Sequence, residues 1–295
     1  MSDATLKLGT RGGPLALAQA APIAQKLGAE LVIFDSEGDL STQALRAALR
    51  TGEVDVAVHA YKELPIEEAA GIAVAAVPKR GDARDALCAR DGLTLDDLPK
   101  GARVGTGSAR RRAQLLGHRR DLEVIDIGDD IPTRLARVGT DLDAVVLAAA
   151  GVDRFDRLDL VTEFLGIDGW PTTPGQGALA VEVRSGEERS VSKLDHKPSR
   201  LAAEAERGIL ARLRADSSAP IGAHAILDDG LLFLTARVYA LDGSAQVTSS
   251  HALYPEDALH PAADLAERVA SELIAAGAAN LSPLAGNLAR GADAE

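Results

Sequence analysis

The chain has 295 residues, 46% hydrophobic and 26% charged, a balance that suits a globular protein of two or three domains. A net charge of −12 argues against wholesale binding to nucleic acid or to an anionic membrane, and 3% aromatic residues argue against a base-stacking platform. The single cysteine, Cys88, excludes an intrachain disulfide, and no long apolar run follows the first residues, so neither a leader nor a membrane span is expected and a cytoplasmic location fits.

Apolar runs alternate with helical patterns through the first two-thirds of the chain. Leu6–Gly9 reads as a strand, Pro14–Leu27 as a helix with proline in its first turn, and Glu30–Phe34 as a second strand. A helix over Thr42–Arg50, a buried-type strand over Val54–His59 and a strand over Ile72–Val77 follow. The βαβ order predicts a parallel sheet with helices on both faces. A second such unit begins near Lys79, with strands at Arg103–Gly105, Glu123–Asp126 and Ala144–Leu147 and helices at Ser108–Leu116 and Pro132–Val138. The turn-rich run from Trp170 to Gly177 reads as a crossing segment, and Leu179–Val183 as a strand returning to the first unit. Residues 186–197 are polar and aperiodic, as in a linker or an exposed helix. A helix over Ser199–Arg214, strands at Ala225–Leu227 and Leu231–Val238 around the hairpin signal Asp228-Asp229-Gly230, and an amphipathic helix over Ala262–Ala276 make a small α+β unit.

Three strand-to-helix turns carry arginine. The most informative runs from Val104 to Leu115, where a glycine- and serine-rich turn leads into a helix with Arg110, Arg111 and Arg112 in its first turns. Cations oppose the positive end of a helix dipole, so arginines there imply an anionic ligand. A solvated basic face offset by Asp121 and Glu123 is the alternative. Thr10-Arg11 before Pro14, and Thr133-Arg134 after Pro132, repeat the arrangement, with Ser108 and Thr10 as hydroxyl contacts. Together they point to one cleft between two domains that takes a carboxylate-rich or phosphate-rich ligand. At the end of the Val56–His59 run, His59, Lys62 and Glu63 emerge where chemistry sits in such sheets. There a glutamate beside a lysine can do acid–base work or stabilise a cation; a surface salt bridge is the alternative. The six histidines show no metal-ligand spacing, so no metal site is expected.

These segments resemble the porphobilinogen deaminase (hydroxymethylbilane synthase) family. The matches run in order: Leu8-Gly-Thr-Arg11 with Pro14-Leu-Ala-Leu17, Asp55-Val-Ala-Val-His59, Arg84-Asp85-Ala86-Leu87, Val104-Gly-Thr with Arg110-Arg111, Thr133-Arg134-Leu135, Ala148-Ala-Ala-Gly151 with Arg154, Gly175-Gln-Gly-Ala-Leu179, Ala205-Glu-Arg207 and Pro220-Ile-Gly222. The resemblance implies an α/β chain with two doubly wound domains of the periplasmic-binding-protein type, at 1–78 with 178–197 and at 79–177, and a small α+β domain at 198–295. It implies a monomer that joins four porphobilinogen units head to tail with loss of ammonia, on a dipyrromethane primer thioether-linked to a cysteine of the third domain. It places Arg11, Lys62, Arg110, Arg111, Arg134 and Arg154 on carboxylate-binding positions, and Glu63 where the family has its catalytic aspartate.

Several positions depart from the family pattern. Ser217 stands where the primer cysteine is expected, and Cys88 lies in a different domain. A serine hydroxyl is a far weaker nucleophile than a thiolate. Glu63 is one methylene longer than aspartate, Gly128-Asp129-Asp130 replaces an arginine-containing turn, and the basic flap after the second strand is shortened beyond Gly38-Asp39. The expectation is therefore a divergent enzyme that deaminates or condenses porphobilinogen, or a related carboxylated pyrrole, without a covalent dipyrromethane. An authentic hydroxymethylbilane synthase and a non-catalytic binding paralogue are the alternatives.

Overall fold

The structure, a computed structural model, describes residues 5–34, 39–216 and 218–282. Contacts group them into two units, one of residues 5–81 and 177–200, the other of residues 82–176 and 201–282.

The first unit holds β1 (Lys7–Arg11), α1 (Pro14–Leu27), β2 (Glu30–Phe34), α2 (Asp39–Thr51), β3 (Val56–Ala60) and β4 (Ile72–Ala76). Pro14 opens α1 and Gly28 closes it at φ 67°, returning its N–H to the carbonyls of Ala24 and Gln25. Ala20, Ile23 and Ala24 of that helix pack on Leu8, Val56 and Val58. Leu45, Ala48 and Leu49 of α2 pack on Val54 and Ala57. The returning strand, which chain order makes β10 (Leu179–Arg184), completes a sheet of order β2-β1-β3-β10-β4. The sheet is mixed: β1 runs parallel to β2 and β3, whereas β10 is antiparallel to both neighbours. The fully parallel sheet expected from the βαβ pattern is corrected here. Alternation of elements fixes only local crossovers, and β10 enters from the far end of the chain.

In the second unit β5 (Asp85–Ala89), β6 (Arg103–Gly105), β7 (Glu123–Ile125), β8 (Ala144–Ala148) and β9 (Glu163–Leu165) form a sheet of order β7-β6-β8-β5-β9. It repeats the first pattern, with parallel β6 pairings and β5 antiparallel to β8 and β9. Helices α3 (Ala109–His118), α4 (Ile131–Ala136) and α5 (Ala149–Arg154) follow β6, β7 and β8. Polar residues 188–194 form 3-10 turns that bury Val191 and Leu194 in the first unit, so this stretch is not a free linker. Helix α6 (Lys197–Leu213) leads into an antiparallel meander of β11 (Ile221–Asp228), β12 (Leu231–Tyr239) and β13 (Gln246–Leu253), followed by α7 (Pro261–Ala275) and α8 (Ala278–Leu281). Asp229 and Gly230 have φ of 46° and 79°, the paired positive values of a tight hairpin turn. Gly208 lets α6 approach α7, since a Cβ there would lie 2.6 Å from Ala266.

Candidate active site

In the first unit two strand ends carry the candidate residues. Arg11 closes β1 and Glu63 ends a 3-10 turn after β3, and the two side chains form an ion pair. Lys62 sits beside Glu63 on that turn, half-buried. Thr10 is fully buried, and its hydroxyl lies 3.4 Å from the Ala16 carbonyl, so its side chain is not presented to a ligand. His59 does not emerge from β3 either. It is buried with Nε2 3.2 Å from Glu182, which Arg46 of α2 grips at 2.7 Å. Burial alone would raise the Glu182 pKa, but His59 and Arg46 pull it down to about 2.

In the second unit β6 leads through Gly107 to α3. A Cβ on Gly107 would lie 2.5 Å from the Ile127 carbonyl, so only glycine lets the turn lie against the chain after β7. Ser108 caps α3, its hydroxyl accepting from the Arg111 N–H at 3.4 Å. Arg110 and Arg111 then point into the protein. Asp85, the first residue of β5 and wholly buried, accepts from Arg110 Nη1 at 2.8 Å and from Arg111 Nη2 at 2.7 Å. Trp170 Nε1 donates to it at 3.0 Å and Gln176 Nε2 at 2.9 Å. Burial opposes ionisation of Asp85, yet the two guanidiniums hold its pKa far below the carboxylate range. Arg110 also donates to Gln114 at 2.6 Å, while its Nη2 is buried without a hydrogen-bond partner. Arg112 is exposed and spends its Nη1 on the Val124 carbonyl.

Two further arginines stand at helices α4 and α5. Asp130 caps α4 through the Thr133 N–H at 2.9 Å, and Arg134 donates Nε to the Asp129 carbonyl at 2.5 Å. Arg154 at the end of α5 donates to the Ala150 carbonyl at 3.2 Å. Both are half-buried, and neither donates to a carboxylate. Burial pushes both pKa values down; Arg111 lowers that of Arg134 further, against the opposing pull of Asp129, Asp126 and Asp130, and Asp153 opposes the shift at Arg154. Such an arrangement is stabilised by an anion.

The sequence-predicted residues thus fall into two groups. Arg11, Lys62 and Glu63 gather in the first unit; Ser108, Arg110, Arg111, Arg134 and Arg154 lie on α3, α4 and α5 of the second. Arg110 and Arg111 are 2% and 7% exposed, so they form the charged wall behind the surface, and Arg134 and Arg154 lie closer to solvent. Sequence reasoning missed Asp85, Trp170 and Gln176. An acidic residue opening the apolar run Asp85–Ala89 was the available signal for the first. Ser217 lies outside the described residues, as does Gly38, while Asp39, after which the shortened flap is expected, opens α2. Among the described residues no His, Cys, Asp and Glu cluster fits a metal ion, and no helix is long and apolar enough to cross a membrane.

Two mixed α/β sheets with arginines gathered at strand-to-helix turns, and a small antiparallel sheet after them, define an α/β protein with an added α+β unit. Residues 6–192 match the model of the porphobilinogen deaminase dipyrromethane cofactor binding domain, and residues 200–275 that of the porphobilinogen deaminase C-terminal domain. The porphobilinogen deaminase of Leifsonia xyli is 50% identical, with 95% of each chain covered. That of Thermobifida fusca is 44% identical, covering 94% of this chain and 96% of its own. Among solved structures, a nutrient binding protein from Burkholderia cenocepacia bound to methionine aligns over 70% of this chain and 95% of its own, at 16% identity and a TM-score of 0.42. The chain belongs to the porphobilinogen deaminase family, the transferases and deaminases of tetrapyrrole biosynthesis.

Proposed function

We propose that the protein condenses porphobilinogen, with loss of ammonia, into the linear tetrapyrrole hydroxymethylbilane. The observation that carries this reading is the pair of half-buried arginines, Arg134 and Arg154, whose guanidiniums donate to backbone carbonyls and to no carboxylate. Pyrrole acetate and propionate groups supply the directly bonded carboxylates that the nearby Asp126, Asp129, Asp130 and Asp153 do not. Arg110 and Arg111, held rigid by Asp85, add a fixed positive field. Arg11 and Glu63 neutralise each other. A substrate carboxylate that takes Arg11 leaves the Glu63 carboxylate free to stabilise the cation formed as ammonia departs. Near-full-length identity to named porphobilinogen deaminases supports the same reading.

Position 217 favours a second reading, in which no primer is held covalently. The residues suit the carboxylates of a dipyrromethane but not its thioether. Position 217 is serine, and the one thiol, Cys88, is 2% exposed with burial pushing its pKa up to about 11. Cys88 is thus unfit as a nucleophile, and no step is assigned to a bound primer.

Two measurements test both readings. Incubation with porphobilinogen is expected to give uroporphyrin after oxidation, and absence of turnover with retained binding would leave the protein a non-catalytic binder. Intact mass decides the attachment: the bare chain mass supports the second reading, and an added dipyrromethane overturns it.

A further inference from the structure

The C-terminal half of α3 meets the turn between β12 and β13. Gly243, at φ +70°, comes so close that a Cβ on it would lie 2.4 Å from the Ala113 carbonyl. Beside this contact opens a pocket of ≈ 370 Å3, a size that suits a small molecule. Arg120, Arg237 and His118 line it, and no carboxylate side chain does, in a chain of net charge −12. Arg237 is held in place by Thr248 at 2.8 Å and by the Gly169 carbonyl at 3.0 Å. His118 is paired with Asp96, which is not part of the lining.

The lining also includes three buried side chains, Gln114, Tyr239 and Trp170. Gln114 donates to the Tyr239 hydroxyl at 2.9 Å and accepts from Arg110 at 2.6 Å. Trp170 donates to Asp85 at 3.0 Å. The inner side of the pocket is therefore hydrogen-bonded directly to the Arg110–Asp85 pair.

We propose that this pocket binds a small multiply charged oxyanion, a polycarboxylate or a phosphate compound, at a site separate from the pyrrole-binding arginines and coupled to them through Gln114 and Trp170. Arg237, anchored by Thr248 and the Gly169 carbonyl, together with the exposed Arg120 and His118, brings positive charge to a lining free of carboxylates, with Asp96 on His118 and Asp242 beside Arg120 outside that lining.

Trp170 is the only tryptophan in the chain, so its emission reports the pocket. Titration with citrate and with pyrophosphate, at ionic strength held constant with sodium chloride, is expected to give a saturable change in emission, with calorimetry returning the same dissociation constant. Arg120→Gln, at an exposed side chain, is expected to weaken binding at least tenfold, and Arg120→Gln combined with Arg237→Gln to abolish it. Arg134→Gln is expected to leave it unchanged. A response to citrate alone assigns a polycarboxylate site and one to pyrophosphate alone a phosphate site. The proposal is overturned if neither titrant gives saturable emission or heat, if Arg120→Gln binds as tightly as wild type, or if Arg134→Gln removes the response. Turnover enters none of these readouts, so the outcome is independent of the catalytic reading.

Discussion

Replacing Asp85 by asparagine keeps the shape of the side chain and removes the only carboxylate that Arg110 and Arg111 share. Two buried guanidiniums then lack a counter-charge, and a loss of about 3–5 kcal/mol in a urea titration is expected. Arg134→Gln has the opposite balance. The half-buried Arg134 donates only to a backbone carbonyl and is opposed by Arg111, so its loss is expected to leave the melting temperature within a few degrees of wild type. Steady-state kinetics are expected to show KM for porphobilinogen raised about tenfold or more, a loss of about 1.4 kcal/mol in binding. The two substitutions separate the arginines that build the site from those left to meet a ligand. The sequence showed both kinds equally, because arginine at a helix start reads the same in either role. Only long-range packing, which sets Asp85 of β5 against α3, tells them apart.

The β6–α3 connection was legible as an element because its signals are local: a short apolar strand, a glycine turn and a serine cap. Gly107→Ala tests that turn. Its Cβ would meet the Ile127 backbone at 2.5 Å, and a backbone neighbour cannot swing aside. Destabilisation of about 1–3 kcal/mol by chemical denaturation is expected, together with a loss of turnover as α3 shifts. The Asp229-Gly230 hairpin, α6 and α7 were likewise readable, since turn residues mark the first and apolar periodicity the two helices. Strand β9 was not, because Glu163–Leu165 is too short to show a period. Strand β13 was missed because Gln246–Leu253 is mostly polar and only Ser249 is fully buried. The antiparallel direction of β5 and β10 was beyond reach, as chain order alone does not orient a strand whose partners are distant in sequence.

At the scale of the whole chain, acid is expected to act on the two units through different groups. In the first, the folded Glu182 pKa of about 2 lies below its ordinary value of 4.5. The depressed value means that Glu182 contributes stability above pH 4.5, and that this is lost as pH falls towards 2. The full effect is about 3 kcal/mol. Urea midpoints followed by circular dichroism are expected to show wild type and Glu182→Gln converging over that window. The second unit holds both Cys88 and Trp170, so thiol labelling and tryptophan emission follow that unit alone. The contacts that join residues 82–176 to residues 201–282, such as Gln114 to Tyr239, are made by side chains more than a hundred residues apart, so chain order alone does not show them.

The Asp85 cluster also fixes how the protein answers to acidity when it meets a ligand. Two guanidiniums stand against one carboxylate held ionised far below neutrality, leaving one surplus positive charge across the neutral range. This charge acts as a constant, like an embedded ion. The Arg110–Asp85–Arg111 cluster therefore adds no pH dependence of its own near neutrality: through it, affinity follows the ionisation of the incoming carboxylic acids and levels off once they are all deprotonated.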